Sequence, residues 1–453
     1  MAWLAHDRVI ARYLERYAEV EASEAVLAPG SYAHVAVVPS CREGTELRDV
    51  LQPLDQAANA VGGRALTILV VNGRECASDQ THASNRETCE FVLASGDTRP
   101  AGPGMTRVES AHSDILLVDR SSEGRRLPAK QGVGLARKIG CDIALAGIAR
   151  GAIESPWIHT TDADAIVPSS YFTPAAQRAD RDGASALALP FVHHFPANSE
   201  FGTAAALYEL SLRYFVLGLR HAGSPYAFQT IGSTMAMHAL SYAQVRGFPR
   251  KEAGEDFYLL NKLAKVGAIR SIRGAPIELK ARPSDRVPFG TGVGVTRIEQ
   301  ARADGTEYHL YHPDTFPLLR CLLLAFAEHS EAPSADRTLE RLQETAWGEE
   351  GVAVLKQARI PELLEDAARN TRAPAACLKR IHTGFDAFRT RKLVHAIRDV
   401  LRPPIPWREA LTSAAFLPDA MFPGELLPSE ACDVLSDLEA TGVMEFPDPL
   451  RGR

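Results

Sequence analysis

The sequence is short of several things, and each shortage excludes something. Its 453 residues hold only seven cysteines, Cys41, Cys76, Cys89, Cys141, Cys321, Cys377 and Cys432, scattered and without a Cys-x-x-Cys pair. That rules out a disulfide framework and a zinc cluster, and fits a reducing compartment. No apolar run approaches the roughly 20 residues that a bilayer span requires; the densest, Leu318 to Ala327, is interrupted by Arg320. The N-terminus, MAWLAHDRVIARYLERYAEV, lacks the continuous apolar stretch of a secretory signal, so a cytoplasmic chain without transmembrane segments is expected. Positive charge is not in excess either. Fifty Lys and Arg against 56 Asp and Glu leave a net charge of −6, which argues against a protein built to grip nucleic acid. With 45% hydrophobic residues the chain is not disordered, and its length implies about two or three folding units.

Familiar catalytic signatures are missing as well. There is no Gly-x-x-x-x-Gly-Lys-Ser/Thr loop of a P-loop kinase or ATPase and no Gly-x-Ser-x-Gly hydrolase elbow. Lys130-Gln-Gly-Val-Gly-Leu-Ala-Arg-Lys-Ile-Gly140 begins like a dinucleotide fingerprint, but the third glycine is replaced by Arg137 and polar loop precedes it.

What is present is alternation. Ile10, Tyr13, Leu14 and Tyr17 make the first 28 residues read as one amphipathic helix, ended by Pro29-Gly30. Strand patterns at 34–38, 66–71, 115–118, 157–158 and 184–192 then alternate with helical patterns at 43–60, 85–93, 131–150 and 203–219, while 94–112 reads as a Gly-, Pro- and Ser-rich surface loop. Strands alternating with helices imply a mainly parallel sheet covered on both faces. After residue 295 the pattern turns helical, at 316–327, 336–345, 381–388 and 393–401. The expected organisation is an N-terminal helix over 1–29, an α/β domain over 30–295 and an α-helical region over 296–453.

Two acidic groups stand out. Asp162-Ala-Asp164 follows an apolar segment, and in extended chain both carboxylates project to one side, where hard oxygen donors suit Mg2+ or Mn2+ on a diphosphate. A second Asp-x-Asp, Asp180 and Asp182, lies in a polar loop and reads as a solvated turn. Gly254-Glu255-Asp256 opens a helix whose apolar face is Phe257, Leu260, Leu263 and Ala264; by itself that pair reads as a dipole-complementing cap. A Gly-rich helix start with Lys130 and Arg137 could hold phosphate. The paired histidines His193-His194 and His309/His312 read as structural rather than as metal ligands.

The order of these landmarks resembles the GT-A fold of nucleotide-sugar glycosyltransferases, and most of all glycosyltransferase family 2. It consists of a strand ending in Pro39 with Glu43 beyond, a strand closing on Asn72, the Gly132/Arg137/Gly140 helix, Asp162-x-Asp164, Arg246-Gly247-Phe248, and Gly254-Glu255-Asp256. The resemblance covers about residues 33 to 270. It implies an α/β, GT-A-like (Rossmann-like) fold and a metal-dependent, inverting, non-processive hexosyltransferase acting on a hydroxyl acceptor. It implies Mg2+ or Mn2+ on Asp162 and Asp164, with Asp162 also reaching the nucleotide sugar, and Asp256 as base with Glu255 beside it. Pro39, Glu43 and Asn72 would cradle the nucleoside, and Lys130, Gly132 and Arg137 would lie near the donor phosphates or sugar. Two positions depart from the family: Arg42-Glu43 replaces Asn-Glu, and Asn72 replaces an Asp. The segment Val287–Gly294, with Arg282 and Arg286 before it, reads as a lid or as a plain surface turn. A retaining GT-A enzyme and a non-catalytic nucleotide-sugar-binding scaffold are the alternatives, and a homo-oligomer is left open.

Overall fold

The apolar runs at 34–38 and 66–71 become strands buried on both faces, as near-continuous Val, Leu and Ile demand. The computed structural model describes residues 2–173, 183–196, 199–280, 291–418, 421–422 and 426–441. Among the described residues, twelve strands belong to the first unit, Met1–His194 with Thr230–Val293: β1 His34–Ser40, β2 Ala65–Asn72, β3 Thr98–Gly102, β4 Met105–Val108, β5 Ser113–Arg120, β6 Trp157–Thr160, β7 Ala165–Ile166, β8 Ala184–Ala188, β9 Phe191–His194, β10 Met235–His238, β11 Ala268–Ser271 and β12 Ile277–Lys280. Nine form one sheet in the order β11-β8-β10-β6-β1-β2-β5-β4-β3, and β7-β12-β9 form a second. The run β6-β1-β2-β5 is parallel, and β10 lies antiparallel between β6 and β8. The expected α/β class is thus the one observed: a mainly parallel sheet flanked by helices, followed by an α-helical C-terminal region.

Alternation along β1 sends its side chains to two layers. Val37 meets Gly140 of the Val133–Ala149 helix so closely that a methyl group there would lie 2.4 Å from its Cγ1. Ala36 and Val38 share a core with Val50 and Leu54 of the Arg48–Val61 helix.

Three local expectations are corrected. Residues 94–112 are not a loop: β3 and β4 form a hairpin that extends the sheet edge, with Pro103-Gly104 as its turn and Pro100 on the edge strand, where a missing N–H is tolerated. The 184–192 run divides at Leu189-Pro190, so that β8 and β9 belong to different sheets. The N-terminal helix stops at Arg16, and a short second turn, Glu21–Glu24, follows. The break lets the Glu19 amide donate to the buried Asp142 carboxylate at 2.8 Å. Asp142 also accepts from Tyr13 (2.6 Å), Tyr242 (2.9 Å) and Lys138 (2.7 Å), so one buried acid ties the N-terminal helix to the Val133–Ala149 helix. Tyr13→Phe removes one donor to this acid and one acceptor of Lys138. It is expected to cost about 1–2 kcal/mol, read as a lower urea midpoint at unchanged slope.

The second unit joins Phe195–Gln229 to Gly294–Arg453; its first segment falls inside the 30–295 span. It is mainly helical, with one short antiparallel pair, His309–Leu310 on Ile405–Pro406, and with Leu319, Leu322, Phe326, Leu355, Leu364 and Val394 in its core. Arg213 is buried there between Glu209 and Glu439. The helical pattern at 381–388 breaks at Phe385-Asp386, because Asp386 accepts the amides of Phe388 and Arg389 and caps a new helix, Ala387–Val400. Among the described residues no helix is long and apolar enough to cross a membrane.

Candidate active site

In open α/β sheets ligands bind beyond the carboxyl ends of the strands, where strand order reverses. Here that point is β1, flanked by β2 and β6. Asp162 and Asp164 lie just past β6, but not in extended chain: the Ala165 amide bonds the Asp162 carbonyl at 3.2 Å, closing a turn. Both side chains are partly exposed.

Arg137, on the second turn of the Val133–Ala149 helix, is only 3% exposed and bridges the Asp162 turn to the next acidic pair. Its Nε donates to Glu255 Oε1 at 2.9 Å, its Nη1 to the Gly232 carbonyl at 3.1 Å, and its Nη2 to Asp162 Oδ1. Burial opposes the guanidinium's charge, but Asp162, Glu255 and Asp256 outweigh it and push its pKa up. Asp256, next to Glu255, accepts the Phe257 amide at 2.7 Å. Burial, and then the neighbouring Glu255 carboxylate, push its pKa up to about 7, against the opposing pull of the Phe257 amide and Arg137. The arrangement supplies one buried cation, two carboxylates locked onto it, and a third poised to exchange a proton near neutrality.

The approach to Glu255 is held by its own clamp. Arg246 and Gly247 are consecutive left-handed residues (φ +64 and +63), and a methyl group on Gly247 would lie 2.4 Å from the Tyr13 hydroxyl oxygen. Lys262, on the helix that Glu255 opens, donates to the carbonyls of Val245 (3.0 Å) and Gly247 (3.3 Å). The Arg246-Gly247-Phe248 element is therefore a backbone joint that sets where Glu255 and Asp256 point.

At the other side of β1, Pro39 is buried in the strand opposite Val70, and Glu43 is buried just beyond it. The Asn72 amide nitrogen donates to the main-chain carbonyls of Ser40 (2.9 Å) and Val70 (3.3 Å), tying the two strand ends together. Asn85 continues the network. It donates to the Asn72 carbonyl and to Ser121 Oγ, both at 2.9 Å, and accepts the amide of Arg42, which is left-handed at φ +62. The hydroxyl of Ser40 and both ring nitrogens of His82 are buried here without a partner among the described residues.

Asp162, Arg137, Glu255 and Asp256 are thus brought into one group, and Ser40 and Asn72 into a second. Lys130 is exposed and is drawn into neither. Gly132 starts the helix, whose Gly134 amide bonds the Lys251 carbonyl at 3.2 Å; a methyl group on Gly134 would meet the carbonyls of Lys251 and Pro249 at 2.6 Å. These glycines let the 249–252 chain lie against the helix start. Sequence reasoning missed Asn85, His82, Gly232 and the Arg74–Glu252 ion pair (3.0 Å), none of which sits in a motif. Asp180, Asp182, Arg282, Arg286 and the lid residues up to 290 lie outside the described residues. His194 bonds Glu278 at 2.9 Å and His193 stacks edge-on with Phe191. Among the described residues no group of three or more His, Cys, Asp and Glu side chains is placed to hold a metal unaided.

No family model matches this chain, and no curated protein does. Solved structures do match. One is S. aureus TarS (residues 1–349) in complex with UDP-GlcNAc, at 12% identity over 81% of this chain and 92% of that one, with a TM-score of 0.34. A second is a mannosyltransferase from Pyrobaculum calidifontis in complex with GDP-Man and Mn2+, at 16% identity over 86% and 94%, TM-score 0.33. A third is glucosyl-3-phosphoglycerate synthase from Mycobacterium tuberculosis with Mn2+, UDP and glucosyl-3-phosphoglycerate, at 13% identity over 62% and 84%, TM-score 0.34. At these values the likenesses assign neither activity nor substrate to this chain.

Proposed function

We propose that the first unit transfers a sugar, of hexosyl type, from a nucleotide-diphosphate sugar to a hydroxyl acceptor, one residue at a time and with inversion. The observation that carries this reading is the meeting of Asp162, Arg137, Glu255 and Asp256 beyond the carboxyl ends of the sheet, with Asp256 raised to about 7. Asp162 and Asp164 fit Mg2+ or Mn2+: two carboxylates are too few for an all-protein cage, but suit a cation that completes its shell with phosphate oxygens and water. Such a cation would absorb charge on the departing diphosphate. Asp256 takes the proton of the attacking acceptor hydroxyl, a task suited to a base whose pKa lies near the working pH. Arg137 holds Asp162 and Glu255 in fixed orientation, and Glu255 in turn keeps the Asp256 carboxylate from ionising too readily. Pro39, Glu43 and Asn72 shape the nucleoside end, where the orphaned Ser40 and His82 groups offer further polar contacts.

Thermal unfolding with UDP and GDP, each with and without Mn2+, tests this. One nucleotide is expected to stabilise the chain only with metal, by about 2.7 kcal/mol at a hundredfold excess over Kd. Asp164→Asn is expected to abolish the metal-dependent part. Equal stabilisation of wild type and variant would remove Asp164 from the metal site.

A further inference from the structure

Of the two cations that the sequence offers the donor phosphates, Lys130 is exposed and drawn into neither group of the site, and Arg137 is already committed. Arg137 is buried and bonded to Glu255, Asp162 and Gly232. The helix start is occupied too: the Gly134 amide bonds the Lys251 carbonyl, and the amides of Leu135 and Ala136 bond Gly132. A diphosphate entering a site walled by Asp162, Glu255 and Asp256 still needs a positive side chain of its own.

Arg74 meets the requirement. It stands two residues past β2, and its Nη1 lies 3.0 Å from Glu252 Oε1, with the two side chains 36% and 38% exposed. The main chain of Glu252 rests on the helix start, its Cα 3.6 Å from where a Gly132 Cβ would be. Three residues later Glu255 holds Arg137, which holds Asp162. The contacts therefore run as a belt from the end of β2, through 252–255, to the end of β6, across the place where a nucleoside at β1 and β2 would extend its diphosphate toward Asp162. A half-exposed ion pair is worth about 0–1 kcal/mol, so breaking it costs little. A guanidinium binds phosphate oxygens in the same bidentate geometry as a carboxylate, and the second phosphate gives it more charge to meet.

We propose that Arg74 is a diphosphate-binding residue of the donor site, held in reserve by Glu252, and that Glu252 competes with the incoming diphosphate for it. This rests on the nucleotide-sugar reading above and adds to it a residue that gates donor affinity.

Calorimetric titration of the full chain with UDP and with GDP, each in the presence of Mn2+, tests the exchange in wild type, Arg74→Ala, Glu252→Gln and the double variant. Arg74→Ala is expected to weaken binding about tenfold or more, as loss of a charge-assisted contact does. Glu252→Gln is expected to tighten it about two- to fivefold, the worth of the competing pair. The gain is expected to vanish in the Arg74→Ala background. Thermal midpoints of the single variants are expected to stay within about 2 °C of wild type, because the pair is exposed. A Glu252→Gln variant that binds no better than wild type overturns the proposal. So does a gain that survives without Arg74, since it would reflect only the removal of a negative charge. A wild type that binds neither nucleotide defeats the site reading and this proposal together, whereas a wild type that binds one while Arg74→Ala matches it defeats Arg74 alone.

Discussion

Asp256→Asn is expected to lower turnover by about 10²–10⁴-fold while leaving nucleotide affinity within about twofold. The side chain keeps its shape and can still accept the Phe257 amide, so the helix start is not disturbed. What it loses is the ability to take a proton. In wild type, with the carboxyl raised to about 7, kcat/KM is expected to climb with pH through that value and level off above it, as the deprotonated base accumulates. The same shift has a stability consequence of opposite sign. A carboxyl near 7 when folded and near 3.9 when unfolded binds more protons in the folded state between those values. Its stabilising contribution is complete below about pH 4 and is lost as pH rises through about 7. The uncharged amide of the variant carries no such penalty at high pH. Asp256→Asn should therefore be more stable than wild type at pH 8, by on the order of 1–3 kcal/mol, with a smaller margin at pH 5. Urea melts at the two pH values and a pH–rate profile read the two effects separately. A rate that stays flat from pH 5 to 9, or full turnover in the variant, would falsify the assignment of Asp256 as base.

The strands of the parallel run were legible because nothing but a doubly covered strand explains Val35–Val38 or Leu66–Val71, every one of them buried. The hairpin of β3 and β4 was not, because Pro100, Pro103 and Gly104 spell a turn equally well inside a hairpin and inside a loop, and edge strands need little apolar alternation. At the site, Asp162, Glu255 and Asp256 can be singled out by residue type and order. Their pairing with Arg137 cannot, since Asp162 and Glu255 lie 25 and 118 residues away from it along the chain. A glycine-flanked arginine reads as a phosphate ligand when its future neighbours are hidden, and as the centre of a carboxylate group once the fold supplies them. The Tyr13–Asp142 bond spans 129 residues and is hidden for the same reason, although it holds the helix that carries Arg137.

Arg137→Met should be the most destabilising single change at the site. The methionine fills much of the same volume, so the loss is electrostatic: Asp162, Glu255 and Asp256 are left grouped without the cation that made the burial of Glu255 tolerable. Breaking a buried pair from one side costs about 3–5 kcal/mol, against near zero for an exposed one. The deficit should depend on pH in a way that a packing defect would not. Without Arg137, which lowers the Asp256 pKa, that carboxyl's folded-state pKa rises further above its unfolded value. Protonation then restores part of the lost stability, so the deficit should shrink as pH falls from about 8 to about 5. Arg137→Met combined with Glu255→Gln removes one of the stranded charges and should regain part of the loss, while Glu255→Gln alone leaves a buried arginine short of a partner and should destabilise. That reversal of sign between the two backgrounds is what coupled charges predict. Denaturant melts of wild type, both single variants and the double variant at the two pH values measure it, and additive effects with equal deficits at both would mean that Arg137 is holding packing rather than charge.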